Sequence, residues 1–166
     1  ALLPLVYSQS NTIWRQMVLL PFLLLLAQVD HKEHLLPNKV VLGALGLRIL
    51  LLAAEIAWEP ILWQNQVVFF LQGLLGILFL MLVLYVLTHQ SLGEGDVKLY
   101  SVLGAYLGFN SALNVLLLAL FLIGCTGLVG ILMKKLHWKS RLPIGPFTLG
   151  AFLLLYFGSA LGGILF

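Results

Sequence analysis

The feature that most constrains this chain is a succession of long apolar runs separated by short polar segments. A helix needs about 20 mainly apolar residues to cross the hydrocarbon core of a bilayer. Hydrophobic residues make up 61% of the 166-residue chain and charged residues only 9%, against about 25% charged residues in a soluble domain. The sequence therefore predicts an all-α, polytopic membrane bundle that forms one membrane domain over residues 1–166.

The apolar runs predict six transmembrane helices, of which the fourth is short. The predicted spans cover about residues 12–29, 39–57, 67–88, 97–109, 112–133 and 146–166. Residues 1–8 are also apolar, and are assigned to the stub of an earlier span or to an interfacial segment. The fourth span rises only about 20 Å against a hydrocarbon core of about 30 Å. Asp96, just before it, is therefore expected to lie below the membrane surface, or the bilayer to thin there, or the span to continue as non-helical chain.

The basic residues predict which side of the membrane the loops face. Three loops that lie on one side in this arrangement, at about 30–39, 89–98 and 134–145, contain lysine or arginine, whereas the loops at about 58–66 and 109–112 contain neither. Basic loops face the cytoplasm. The net charge of +3 gives no indication of nucleic-acid binding, and no nucleic-acid partner is predicted.

The chain contains only two aspartates, Asp30 and Asp96, and each lies where an apolar run meets a polar loop on the predicted cytoplasmic side. An acidic side chain at the edge of a membrane is costly and indicates a functional site. Two carboxylates around one water are also the groups that an aspartic hydrolase requires. Because the pair shares one proton, one carboxylate can act as the base and the other as the acid. Alternatively, the two aspartates are separately solvated helix ends, with Asp30 in a charged loop that Pro37 and Asn38 close.

Asp96 lies within the segment Gly93-Glu94-Gly95-Asp96-Val97-Lys98. Glycines three and one residues before the aspartate allow unusual backbone angles or a close approach of another group. Asp96 is expected at the start of a helix, where a negative charge is favoured. The simplest structural interpretation of the tetrapeptide alone is a glycine-rich turn with Asp96 as the N-cap.

Together, the stretch VDHKEHLLPNKV, which begins at Val29, and the stretch GEGDVKLYSVLGAYLG, which begins at Gly93 some 60 residues later, resemble the type IV prepilin peptidase family of bacterial membrane aspartic proteases. That family also has a Pro-x-Gly-Pro-like turn before its last helix, here Leu142-Pro143-Ile144-Gly145-Pro146-Phe147. The resemblance covers about residues 12–166. It implies Asp30 and Asp96 as the catalytic residues and the following supporting motif residues: Gly93, Gly95, Lys98, Pro37 and Asn38.

The resemblance also implies an activity and a location. The family removes the short basic leader from type IV prepilins and type II secretion pseudopilins, after a glycine, at the cytoplasmic face of the bacterial inner membrane. The implied partners are a prepilin or pseudopilin and the lipid bilayer. Many members also methylate the new amino terminus and carry two Cys-x-x-Cys pairs that bind zinc. This sequence has one cysteine, Cys125, so no metal or other cofactor is predicted, and methyl transfer is put in doubt.

Three alternatives to a prepilin peptidase remain open. An intramembrane-cleaving protease shares Gly-x-Gly-Asp but usually has Tyr-Asp at its first aspartate, where this chain has Val29-Asp30. A transporter would more often show symmetric halves. A structural assembly subunit predicts that the aspartates lie far apart. Elsewhere, Arg48 in the second span is expected to pair with Glu55, or to extend toward the membrane surface.

Overall fold

A computed structural model describes residues 3–33, 38–88, 93–133 and 144–165, with side chains described at 13–30, 38–88, 93–130, 132–133 and 144–156. The described residues form six α-helices and one short 3-10 helix. The α-helices are α1 (Leu3–Glu33), α2 (Asn38–Trp58), α3 (Trp63–Leu87), α4 (Glu94–Leu107), α5 (Phe109–Leu132) and α6 (Ile144–Leu165), and the 3-10 helix is Pro60–Leu62.

These helices confirm the predicted all-α membrane architecture. Within the described residues, four helical segments are long and apolar enough to cross a membrane: Ile13–Asp30, Asn38–Trp58, Pro60–Leu87 and Phe109–Gly130. A shorter apolar helix covers Ile144–Tyr156. The predicted short fourth helix is also present, because α4 has 14 residues and rises about 21 Å.

The first helix begins earlier than predicted, because α1 is continuous from Leu3 to Glu33. A stub of a separate earlier span is therefore wrong, whereas the assignment of residues 1–8 to an interfacial segment stays a prediction. The polar stretch at 8–12 suggested a break between two segments. It contains neither proline nor glycine, and a helix that has formed extends readily through polar residues. Pro21 also lies inside α1 and does not end it.

One face of α1 is buried between Arg15 and Asp30. Arg15, Leu19, Leu23, Leu26 and Asp30 are all less than a tenth exposed, at 7%, 2%, 2%, 3% and 6%. Their spacing of three or four residues places them on one side of a helix. Asp30 is therefore on the face that α1 buries, even though it lies in the last turn of that helix.

Backbone contacts divide the chain into two compact units. The first unit comprises Ala1–Phe22 and Leu36–Leu113, and the second comprises Leu23–Leu35 and Asn114–Phe166. The expected single domain over residues 1–166 stays a prediction.

In the first unit, α4 packs against α3 at two glycines. A Cβ atom on Gly73 would overlap the carbonyl oxygen of Gly104, and a Cβ atom on Gly104 would overlap the carbonyl oxygen of Gly73. Glycine at both positions allows the two backbones to touch, as small residues do in membrane bundles. Gly108 then ends α4 with a φ of 79°, which side-chain-bearing residues rarely adopt, and α5 begins at Phe109.

The first unit also contains a buried cluster of charged side chains, which we call the Arg15–Glu55–Arg48 cluster. Arg15 donates two hydrogen bonds to the Glu55 carboxylate, at 2.7 and 2.8 Å. Arg48 is fully buried, with Nη1 3.5 Å from the same carboxylate and Nε 2.9 Å from the carbonyl oxygen of Ala105. The predicted pairing of Arg48 with Glu55 is therefore confirmed. The cluster joins α1 and α2 by ion pairs and α2 to α4 by a hydrogen bond.

Candidate active site

Asp96 is the third residue of α4, where the free backbone N–H groups of a helix favour a negative charge. The carbonyl oxygen of Gly93 accepts hydrogen bonds from the N–H groups of Asp96, at 3.1 Å, and Val97, at 3.4 Å. The expected position at a helix start is confirmed. The interpretation of Asp96 as the N-cap is wrong, because Gly93 holds that position and no side chain caps it.

Gly93 is explained by the space it leaves for Asp96. Its backbone is extended, with φ −69° and ψ 139°, which any residue adopts. A Cβ atom there would lie 3.0 Å from Oδ2 of Asp96 and would crowd the carboxylate. Gly95, inside the first turn of α4, does not have a positive φ either. At Gly93, close approach rather than unusual backbone angles is therefore the reason for glycine.

Asp30 is a buried residue of α1, not a solvated residue in a loop. It is 6% exposed, and α1 continues past it to Glu33. In the second unit, the backbone N–H of Gly145 donates a 2.7 Å hydrogen bond to Oδ2 of Asp30. The alternative of a solvated helix-end aspartate is therefore wrong for Asp30. A buried carboxylate needs such a donor, because an unpaired charge in an apolar environment is strongly destabilising.

Gly145 is the residue of this site that the sequence analysis left without a role. It is the second residue of α6, and the segment Pro143-Ile144-Gly145-Pro146 was noted only as part of a family pattern. The available signal was a glycine directly before a proline at the start of the last helix. Sequence spacing alone could not connect it with Asp30, 115 residues earlier.

The structure places the two aspartates in different units, Asp96 in the first and Asp30 in the second. Each carboxylate lies beside a glycine of its own unit, and an added Cβ atom would lie 3.0 Å from Oδ2 of Asp96 at Gly93 and 2.9 Å from Oδ2 of Asp30 at Gly145. The approach of the two carboxylates to each other stays a prediction.

Two of the supporting motif residues are in contact in the first unit. Lys98, on α4, donates a 3.1 Å hydrogen bond from Nζ to Oδ1 of Asn38, the first residue of α2. Both side chains are exposed, and so is Glu94, between the two motif glycines. Pro37 lies outside the described residues. The Lys98–Asn38 hydrogen bond therefore connects α4 with the first residue of α2, and one residue comes from each of the two stretches that carry the family resemblance.

We expect the Lys98–Asn38 hydrogen bond to contribute little to stability. An exposed bond to a flexible lysine competes with water, so a double-mutant cycle of Lys98→Met and Asn38→Ala should give a coupling energy of about 0.5 kcal/mol. The measurement is thermal unfolding in detergent, with Lys39→Met as the matched control for losing an exposed lysine charge. A coupling above about 2 kcal/mol would contradict the exposed geometry.

Among the side chains that the structure describes, no group of three or more His, Cys, Asp or Glu residues could hold a metal ion. Cys125, on α5, is exposed.

Comparison with known proteins identifies the family. The sequence pattern of the Type IV leader peptidase family matches residues 17–128. The chain is 30% identical over 147 residues to a prepilin leader peptidase/N-methyltransferase of Pectobacterium carotovorum subsp. carotovorum, covering 86% of this chain and 50% of the relative.

Two further relatives agree. A type 4 prepilin-like proteins leader peptide-processing enzyme of Escherichia coli O78:H11 is 31% identical, covering 92% of this chain and 55% of that protein. A prepilin leader peptidase/N-methyltransferase of Bacillus subtilis is 26% identical, and the match covers 90% of this chain and 58% of that protein. The chain thus spans about half the length of the curated relatives it matches, and no solved structure gives a significant match. With the family pattern matching both the Asp30 and the Asp96 segments, this multi-pass membrane chain belongs to the Type IV leader peptidase family.

Proposed function

We propose that this chain is an aspartic endopeptidase that removes the leader peptide from type IV prepilins or type II secretion pseudopilins. Asp30 and Asp96 are the catalytic pair. The observation that carries the proposal is Asp30 itself, a 6% exposed carboxylate on an apolar helix. Burying a charge in a membrane-spanning bundle is costly, and such residues mark functional sites.

The proposed reaction is hydrolysis of one peptide bond by an acid–base pair. The ionised aspartate accepts a proton from a water molecule, whose oxygen attacks the carbonyl carbon of the scissile bond. The protonated aspartate donates its proton to the carbonyl oxygen, which gives a neutral tetrahedral intermediate. Collapse of the intermediate breaks the C–N bond. The aspartate that took the water proton donates it to the leaving amine, and the other aspartate takes a proton from one hydroxyl group as the new carboxyl group forms. The pair exchanges protons as a unit, so either aspartate can begin as the base.

The surroundings of the two residues support these roles. Asp96 is half-buried in the first turn of α4, where backbone N–H groups stabilise negative charge. Asp30 has a backbone N–H as a fixed donor at 2.7 Å. Groups held in this way need little reorganisation when charge changes during a reaction.

The proposed location is the bacterial cytoplasmic membrane, with the active site at the cytoplasmic face. The basic residues of the loops at about 30–39, 89–98 and 134–145 support this orientation. The leader is the part of a prepilin that remains on that side when its hydrophobic helix enters the membrane. A groove that accepts an extended leader and an apolar helix is the proposed substrate site.

Cleavage of a prepilin in reconstituted membranes tests the proposal. The chain and a prepilin are placed together in liposomes, and the products are identified by mass spectrometry. We expect a product shortened by the intact leader, with cleavage after one glycine. Liposomes without the chain are the negative control, and the E. coli relative, whose name describes leader processing, is the positive control. A helical, monodisperse chain that leaves the prepilin intact while the relative cleaves it would contradict the proposal.

A further inference from the structure

Gly145 contacts Asp30 so closely that a side chain at residue 145 would require Asp30 or α6 to move. Gly145 is buried near the start of α6, and a Cβ atom on it would lie 2.9 Å from Oδ2 of Asp30 and 3.0 Å from its Cβ. The same atom would lie 3.3 Å from the Cα atom of Ala27, one turn earlier on α1. The first distance is shorter than real Cβ contacts and the other two are tighter than most of them, so a side chain at residue 145 would push Asp30 or α6 away.

The hydrogen bond also satisfies both partners. The first four N–H groups of a helix have no acceptor within the helix, and the N–H of Gly145 is one of them in α6. The Asp30 carboxylate of α1 supplies the acceptor at 2.7 Å, a length typical of charge-assisted hydrogen bonds. Since both groups are buried, loss of this bond costs more than loss of a bond at an exposed site.

We propose that Gly145 is a positioning residue for the catalytic carboxylate of Asp30. Its N–H holds Oδ2, which fixes the rotation of the carboxylate about its Cβ–Cγ bond. Its missing side chain lets α6 approach α1 closely enough for the bond to form. This inference rests on the proposed function, because it assigns Gly145 a role only through Asp30.

The role of the N–H is tested by replacing Gly145 with glycolic acid in cell-free synthesis into lipid nanodiscs. The resulting ester lacks the N–H but adds no side chain, so the space around Asp30 is unchanged. We expect kcat for prepilin cleavage to fall about 10- to 100-fold, the loss of one buried hydrogen bond to a charged group. We expect KM to stay within about twofold, because the N–H orients a reacting group and not the substrate.

The role of the missing side chain is tested by Gly145→Ala, with Gly150→Ala as the matched control. Gly150 lies on the same helix, and a Cβ atom there meets nothing within 4 Å. We expect Gly145→Ala to lower kcat at least as much as the ester does, and Gly150→Ala to keep the wild-type kcat and KM.

The outcomes separate this inference from the proposed function. If Asp30→Asn is inactive but the glycolic acid variant keeps the wild-type kcat, Gly145 does not position Asp30. The inference about Gly145 is then wrong, while the proposed catalytic role of Asp30 stands. An ester variant that raises KM and keeps kcat overturns it too, because it assigns the N–H to substrate binding. If Asp30→Asn itself keeps full activity, the proposed catalytic pair fails first. If Gly145→Ala does not fold, the glycolic acid variant, which adds no side chain, still tests whether the N–H of residue 145 positions Asp30.

Discussion

Replacing Asp96 by asparagine is expected to lower kcat for leader cleavage by about 100- to 10,000-fold, the usual contribution of a general acid or base. Asparagine has nearly the same shape as aspartate but neither gives up nor takes a proton at neutral pH. The helix should persist, because only a favourable charge in the first turn is lost, worth about 0.3–1 kcal/mol. Kinetics in liposomes and thermal unfolding in detergent measure the two effects separately.

Asp30→Asn is expected to lower kcat to a similar extent and also to fold. The side-chain oxygen of the amide can still accept the N–H of Gly145, which the wild-type carboxylate accepts at 2.7 Å. The double variant should be about as inactive as either single variant, because residues that act as one catalytic unit are strongly non-additive.

Glu94→Gln is the matched control for both changes. Glu94 is the first residue of α4, is exposed, and loses the same charge in the same helical turn as Asp96→Asn. We expect it to keep at least half of the wild-type kcat. A folded Asp96→Asn or Asp30→Asn variant with wild-type kcat would refute the proposed acid–base pair.

The helices could be predicted from sequence because each depends mainly on local composition. An apolar run of membrane-spanning length must be helical to satisfy its backbone in lipid, so α2, α3 and α5 follow from hydropathy alone. The start of α1 could not be predicted in this way. Its residues at 8–12 are polar but compatible with a helix, and hydropathy does not distinguish a polar helical turn from a loop.

The candidate site shows the same division between local and long-range information. The pattern around Asp96 is contiguous in sequence, and its position at the start of α4 was predicted correctly. The partner of Asp30 is a backbone N–H group 115 residues away. Every residue except proline has such a group, so the residue type at 145 does not indicate this hydrogen bond. Arg15 was missed for a related reason, because its partner Glu55 lies on another helix, whereas Arg48 and Glu55 are two turns apart on α2.

Glu55→Gln is expected to destabilise the protein by about 3–5 kcal/mol, the usual cost of removing one partner of a buried ion pair. The side chains of Arg15 and Arg48 are 8% and 0% exposed, and Glu55 is the acidic partner of both. Nη2 of Arg48 already has no hydrogen-bond partner among the described residues. Without Glu55, two guanidinium groups would be buried together, and their repulsion is weakly screened in an apolar environment.

Thermal unfolding in one detergent measures this effect, with Glu94→Gln as the control for losing an exposed acidic charge. We expect the control to change the free energy of unfolding by less than about 0.5 kcal/mol. A Glu55→Gln variant as stable as this control would show that the ion pairs contribute nothing to the fold.

The sign of a second substitution tests whether charge, rather than packing, explains the loss. In the wild-type protein, Arg15→Gln removes the two hydrogen bonds to Glu55 and should be destabilising, although Glu55 keeps Arg48 as a partner. In the Glu55→Gln background, the same change removes one of two unpaired cations and should be stabilising. Packing effects alone would make Arg15→Gln destabilising in both backgrounds, because the arginine side chain also packs over the Phe69 ring, with Cζ 4.8 Å from its centroid. A reversal of sign between the two backgrounds is therefore the expected signature of an electrostatic cluster that holds α1 and α2 together.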